Sequence, residues 1–267
     1  YPTPRQYMRN AVYLNSGGER FFEIAHQAGL AATDWTWSIL FGDLDNDGWL
    51  DVYATNGMTR DLFNSDLKEA EAAIMKRRDW NAAARFWSAR EPKKDPNYAF
   101  RNRGDLRFTK QGARWGLDHL GVSFGAALGD LDADGDLDLV VNNYGEPASI
   151  YRNGASTTTH WLRVRLRGKA SNRHGVGATV RVVTAAGRRL MRTLSLSRGY
   201  MSAGEPVLHF GLGKETSVDS LTIEWPSGRR QVVDSPGVDQ FHSFTEPEAA
   251  PTVEVAPEAE PAPEAVP

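Results

Sequence analysis

Short apolar or β-prone runs, each ended by a glycine turn, follow one another along most of the chain. Ala11–Leu14 and Asn97–Arg101 predict short strands that enter such turns, and Phe21 and Phe108 begin the returns. Ser38–Phe41 and Gly125–Leu128 are small and apolar, as buried strands are. Leu50–Thr55 and Leu137–Val141 are β-prone runs that close each unit. Two segments have a different texture. Asp66–Lys76 is rich in Ala, Glu, Lys and Leu, with Ser65 or Asp66 as cap, and Trp80–Arg90 also reads as helix until Pro92 stops it. Beyond Thr157, His160–Arg167 sets Trp161, Leu162, Val164 and Leu166 against Arg163, Arg165 and Arg167. Further β runs follow at Ala178–Thr184, Arg189–Leu196, Val207–Gly211, Ser220–Trp225, Arg229–Val233 and Gln240–Thr245.

The first half repeats itself at a constant offset of 87 residues. Asn15, Gly17, Phe21, Gly42 and Asn56 fall on Asn102, Gly104, Phe108, Gly129 and Asn143, with no gap between Asn15 and Asn56. A third copy starts at Ser149–Gly154, which echoes Tyr98–Gly104. Asn102 to Asn153 is 51 residues, so the 87-residue spacing of the first unit holds an insertion of 36, near 59–97. That is where the two helices are expected. About four short strands per ~50-residue unit fit a propeller blade. About seven strands at the spacing seen after residue 157 fit an antiparallel sandwich. The expected fold is therefore mainly β. Residues 1–157 form part of a β-propeller with a small helical insertion, 158–245 form an antiparallel β-sandwich, and 246–267 form an extended acidic Pro/Ala/Glu tail. Two blades do not close a propeller, which takes at least four. The chain starts at Tyr1 without a leader pattern, so it reads as a mature protein or as the C-terminal part of a longer one.

The strongest internal match carries chemistry. Asp43-Leu44-Asp45-Asn46-Asp47-Gly48-Trp49-Leu50-Asp51 lies over Asp130-Leu131-Asp132-Ala133-Asp134-Gly135-Asp136-Leu137-Asp138. Carboxylates at positions 1, 3, 5 and 9 converge, a carbonyl at position 7 adds an oxygen, and glycine at position 6 permits the turn. This donor set suits Ca2+, which takes six to eight oxygens. Two carboxylates ~4 Å apart repel by roughly 4 kcal/mol at an effective dielectric of 20, so the loops call for a counter-charge. The expected ligands are Asp43, Asp45, Asp47, Asp51 and the Trp49 carbonyl in one site. Asp130, Asp132, Asp134, Asp138 and the Asp136 carbonyl make the other. An EF-hand is excluded, because loop position 12 is Ala54 or Val141 and the flanks are β.

The segment Phe124-Gly125 with Leu128–Asp138 resembles the FG-GAP/VCBS repeat of integrin-α-type propellers and bacterial surface proteins; the first copy has Trp37-Ser38 in place of Phe-Gly. The segments His160–Gly168, Ser171–Ala178, Arg198–Ser202, Leu208–Gly213 and Ile223–Gly228 resemble the ASPIC/UnbV module. That module follows such repeats in cartilage acidic protein-like proteins. The resemblance covers Ala11 to Thr245, outside the helices and the tail. It implies an extracellular, cell-surface or periplasmic setting and brings no catalytic residues.

Composition adds exclusions. There is no cysteine, so disulfides, thiolate metal sites and Cys nucleophiles are absent, though secretion is not excluded. No apolar run spans a bilayer. A net charge of −3 gives no sign of nucleic acid. The charge is a cancellation: residues 1–159 carry 18 Lys+Arg against 22 Asp+Glu, residues 160–245 carry 13 against 6, and the tail carries six Glu alone. Gly121–Gly125 matches Gly-x-Ser-x-Gly but lacks the strand–turn–helix setting of a nucleophile elbow. Arg103-Gly104-Asp105 spells an integrin-recognition tripeptide in a turn. The histidines form no close-spaced pair. Arg163, Arg165 and Arg167 read as a solvated basic stripe, with acidic glycans or the acidic tail as alternative partners. Trp35, Trp37, Trp80 and Trp87 look exposed. The expected role is a calcium-stabilised, non-catalytic binding, adhesion or assembly module with a protein or glycan ligand. The alternatives are an accessory or catalytic domain acting on polysaccharide, for which Glu205, Asp219 and Glu224 are the candidate acids, or a subunit of a larger surface complex docked through residues 65–90.

Overall fold

A computed structural model describes residues 9–154 and 158–248. The acidic stretch from residue 249 lies outside them.

The order begins β1 (Tyr13–Asn15), β2 (Phe21–Glu23), α1 (Ala25–Ala28), β3 (Thr36–Gly42) and β4 (Asp51–Asn56). The insertion follows as α2 (Ser65–Met75) and α3 (Trp80–Ser88). Then come β5 (Asp95–Pro96), β6 (Tyr98–Asn102), β7 (Phe108–Lys110), α4 (Gly112–Trp115), β8 (Leu120–Gly121), β9 (Ser123–Gly129), β10 (Asp138–Asn143) and β11 (Ser149–Tyr151). The 87-residue offset holds at both ends of β3/β9, β4/β10, β2/β7 and α1/α4, so the sequence repeat is a repeat of structure. The repeat and the sheets are out of phase, however. Strands β3, β4, β6 and β7 form one four-stranded antiparallel sheet, joined across the helical insertion by the pairs Val52↔Phe100 and Tyr53↔Ala99. Among the described residues the hairpin β1–β2 pairs only with itself. The expected unit instead placed β1 and β2 with β3 and β4. Pairing is decided by burial: Tyr53, Ala99 and Phe100 are at most 5% exposed, whereas Phe21 and Phe22 are more than half exposed. The next sheet, β11-β10-β9, has three strands, and β3 packs against β9 so that Leu40, Tyr53, Ala126, Leu139 and Val141 share one core.

The insertion is helical as expected, with shifted ends. Asn64 caps α2, its Oδ1 accepting from the amides of Asp66 and Leu67 at 3.1 and 3.2 Å, and Asp79 caps α3. The helices hold to each other through Trp87 Nε1, which donates to Glu71 at 2.8 Å.

The C-terminal part contains β12 (His160–Arg167), β13 (Thr179–Thr184), β14 (Arg189–Thr193), β15 (Val207–Gly213), β16 (Val218–Glu224), β17 (Arg230–Asp234) and β18 (Gln240–Thr245). They form a three-stranded sheet, β15-β12-β18, and a four-stranded sheet, β14-β13-β16-β17. Leu162, Val164, Leu166, Val180, Val182, Phe210, Leu221 and Ile223 are essentially inaccessible and make a single core between the two. The all-antiparallel expectation fails at one pair, since β18 runs parallel to β12 from Leu162↔Gln240 to Arg167↔Thr245. Glu246 is not tail. It is 1% exposed and accepts from the amides of Lys169 and Ser171 at 2.7 and 2.8 Å and from the Ser227 hydroxyl at 2.5 Å. With the Ser171 hydroxyl at 3.1 Å, four donors from two loops offset its burial.

Candidate metal centre

The two acidic loops connect β3 to β4 and β9 to β10, and they are built alike. Position 1 accepts from the amide of the position-6 glycine: Gly48 to Asp43 at 2.8 Å and Gly135 to Asp130 at 2.9 Å. Position 9 accepts from the position-2 amide, Leu44 to Asp51 at 2.9 Å and Leu131 to Asp138 at 2.8 Å. Its second oxygen accepts from the next hairpin, Asn102 N at 2.8 Å and Asn153 N at 2.7 Å. The preceding arginines match too. Arg101 pairs with Asp45 at 2.6 Å and Asp47 at 2.9 Å, and Arg152 with Asp132 at 2.5 Å and Asp134 at 3.6 Å. These Arg-Asn pairs lie in the segments Phe100-Arg-Asn and Tyr151-Arg-Asn of the repeat. Their recurrence was visible in the sequence, but their attachment to the acidic loops was not.

In each loop three aspartates bring one oxygen apiece to within 4.8 Å of one another: Asp43, Asp45 and Asp51, and Asp130, Asp132 and Asp138. Asp47 and Asp134 are not in these trios; each turns one oxygen to its arginine and the other to the amide of Trp49 or Asp136. The Asp136 side chain, expected to matter only through its carbonyl, is 5% exposed and its Oδ1 accepts from Asn46 Nδ2. The Trp49 ring is exposed and lies against Gly104.

The trios fit a hard cation. Every donor is a carboxylate oxygen, the type Ca2+ prefers, with no imidazole among them. One oxygen of each position-1 aspartate, Asp43 Oδ1 and Asp130 Oδ1, is buried without a protein hydrogen-bond partner. Burial, with Arg192 opposing it, raises Asp43 to about 7, and burial raises Asp51 to about 8. Asp45 and Asp130 are also raised, chiefly by burial. Desolvation of the charged form thus outweighs the cations nearby, Arg192 at Asp43, Arg101 at Asp45 and Arg163 at Asp130.

Both loops face the C-terminal sheets. Gly211 N donates to Asp43 Oδ2 at 3.1 Å, and Arg163 Nη1 to Asp130 Oδ2 at 2.6 Å. Arg163 is 6% exposed and also binds Glu205 at 2.8 Å, so it is no part of a solvated stripe. Alternation along β12 places it opposite the core-facing leucines, and the Asp130 loop covers that outer face at Arg163, while Arg165 and Arg167 on the same face stay exposed.

The remaining sequence features fall elsewhere. Ser123 is fully buried at the start of β9, bound to Asn97 Nδ2 and Asn143 Oδ1. Arg103, Gly104 and Asp105 form an exposed turn. Trp37 is half-buried, its Nε1 donating to Gly57 O and its ring 4.8 Å from Phe124 and 4.9 Å from Tyr200. Trp80 is 68% exposed.

Comparison with known proteins meets this geometry. The model of the FG-GAP-like repeat matches residues 5–54 and 86–141, and that of the ASPIC and UnbV family matches residues 168–251. The chain carries FG-GAP-like repeats and an ASPIC and UnbV domain. The FG-GAP-like matches hold both acidic loops and leave out most of the helical insertion. The ASPIC and UnbV match includes Glu246, in keeping with its buried place. Cartilage acidic protein 1 of Xenopus tropicalis is 28% identical over 82% of this chain, and those of Homo sapiens and Mus musculus are 28% identical over 72%. The chain spans 25–30% of the length of these relatives.

Proposed function

We propose that this chain is a calcium-stabilised, extracytoplasmic binding or assembly module in which the metal is structural. The carrying observation is the pair of converging aspartate trios, each with a buried position-1 oxygen that no protein group satisfies. Asp43, Asp45 and Asp51 would hold one Ca2+, and Asp130, Asp132 and Asp138 the other. The ion supplies positive charge and fixes the loops that join β3 to β4 and β9 to β10. The sheets β3-β4-β6-β7 and β9-β10-β11 then act as propeller-type blades, and the two C-terminal sheets as a sandwich docked on them. Extracellular modules bind Ca2+ at ~0.1–1 mM, which suits a setting outside the cytoplasm. Among the described residues no helix is long and apolar enough to cross a membrane. The ligand is a protein or a glycan, or another subunit of a surface assembly.

A catalytic reading finds less support. Glu205 is tied to Arg163, Glu224 is paired with Arg181 on the other sheet, and Ser123 is inaccessible. Thermal unfolding in EGTA and then in excess Ca2+ tests the proposal. Chelation is expected to lower Tm and Ca2+ to restore it, by an increment that grows with the logarithm of its concentration. Identical melting under both conditions refutes it.

A further inference from the structure

We infer that the ASPIC and UnbV domain completes both cation loops, so that cation binding and docking of that domain are one coupled equilibrium. The inference rests on the cation sites proposed above.

The position-1 aspartate of each loop has two ends. Asp43 Oδ1 is buried with no protein partner, while its Oδ2 is held by Gly48 N of its own loop and by Gly211 N of β15. Asp130 repeats the arrangement, with Oδ1 unpartnered and Oδ2 held by Gly135 N and by the Arg163 guanidinium of β12. In both loops one carboxylate thus belongs to the converging trio and is also held by the other domain. Groups that hold the far oxygen of a ligand orient the near one and set its affinity.

The loop backbones are gripped as well. Gly213 N donates to Asn46 O at 2.8 Å, Arg188 Nη2 to Asp47 O at 2.5 Å and Arg192 Nη2 to Gly48 O at 3.2 Å. His209 Nε2 is 2.9 Å from Gly135 O, which only accepts, so the ring donates there. Gly211 has no room for a side chain, since a Cβ would fall 2.6 Å from Asn46 Cα. Without a cation the aspartates of each loop repel one another, which weakens the turns that present these carbonyls. With the cation bound, both loops are set in the shape the domain grips. By reciprocity, docking must then favour cation binding by the same factor.

A second anchor, apart from the loops, makes the coupling separable from local effects. Tyr200 N donates to Ser38 Oγ at 2.7 Å and its ring lies against Trp37 and Phe124. It touches neither loop.

Residue-resolved amide exchange on the intact chain, in EGTA and in saturating Ca2+, tests the inference. Ca2+ is expected to slow exchange at Leu44 and Gly48, at Gly211 and Gly213, and at Tyr200. Slowing at Leu44 and Gly48 with none at Tyr200 overturns the coupling and leaves the cation sites standing. No response at Leu44 and Gly48 refutes the sites, and the coupling with them. In a calorimetric Ca2+ titration, Tyr200→Ala is expected to weaken binding about fivefold or more, while Tyr200→Phe keeps it. Unchanged affinity in Tyr200→Ala overturns the inference.

Discussion

Asn46 Nδ2 donates to Asp136 Oδ1 at 2.5 Å, joining two loops 90 residues apart in sequence. Both side chains are at most 5% exposed. The link cannot be reciprocated, because the 87-residue repeat puts Ala133 where the first loop has Asn46. Asn153 Nδ2 also joins the two loops, donating to Leu44 O at 2.8 Å and Leu137 O at 3.2 Å. Asn46→Ala is expected to cost about 1.5–3 kcal/mol, the range for a hydrogen bond to a charged group. Urea unfolding at saturating Ca2+ measures it, and a loss under 0.5 kcal/mol would make the contact incidental.

Ala133 and Asn46 share more than alignment. Both sit at position 4 with left-handed backbone, φ +62° and +56°. Asn adopts that region readily and Ala does not. Ala133 is also exposed, so a larger side chain meets no obstacle. Ala133→Asn is expected to stabilise the protein by about 0.5–1 kcal/mol through relief of backbone strain. Tm should rise by a few degrees. A fall would mean that the loop gains something from Ala133 that its backbone does not reveal.

Much of this molecule was legible in the chain. The 87-residue repeat marked two like-built units, because identical turn chemistry at Asn15/Asn102 and Gly48/Gly135 builds identical turns, although the short helices α1 and α4 were not read from it and the strand ends lie one or two residues from those expected. The spacing of aspartates gave both loops. What the chain did not disclose was pairing across distance. A repeat has no marked starting point in sequence, so the grouping of β6 and β7 with β3 and β4 depended on Phe100 burying where Phe21 does not. Strand β18 lies parallel to β12 because the chain crosses from one sheet to the other, which alternation within a strand does not encode. Arg163 read as solvated because its strand face is polar, and Arg165 and Arg167 on that face are exposed, yet Arg163 itself is covered by Asp130. Glu246 read as tail from its Pro/Ala/Glu neighbours, although its carboxylate is needed by donors more than 70 residues upstream.

The trios also divide the aspartates of each loop. Asp45 contributes an oxygen to the converging set and Asp47 does not. Asp45→Asn is expected to lower Ca2+ affinity at that loop by at least about tenfold, since even partners one shell out commonly cost that much. Asp47→Asn should cost less, because its loss falls mainly on the pair with Arg101. Calorimetric titration of both variants decides the matter. A larger loss for Asp47→Asn would put that carboxylate on the ion.

Glu246 gives the clearest dependence on pH. Burial alone would raise its pKa, but hydrogen bonds from the Ser227 hydroxyl and the Ser171 and Lys169 amides outweigh it and pull the value down to about 2, from an ordinary 4.5. A carboxylate with a depressed folded-state pKa binds protons more readily in the unfolded chain. Its contribution is therefore fully present above pH 4.5 and disappears as pH falls toward 2. Glu246→Gln removes the charge, and its amide group donates where the carboxylate accepted. At pH 7 this variant is expected to melt several degrees below the parent. The gap between the two should narrow steadily from pH 4.5 downward, because the parent alone then loses the interaction. Paired melting curves between pH 7 and pH 3 measure this. A gap that stays constant across that range would mean that Glu246 acts through packing and not through its charge.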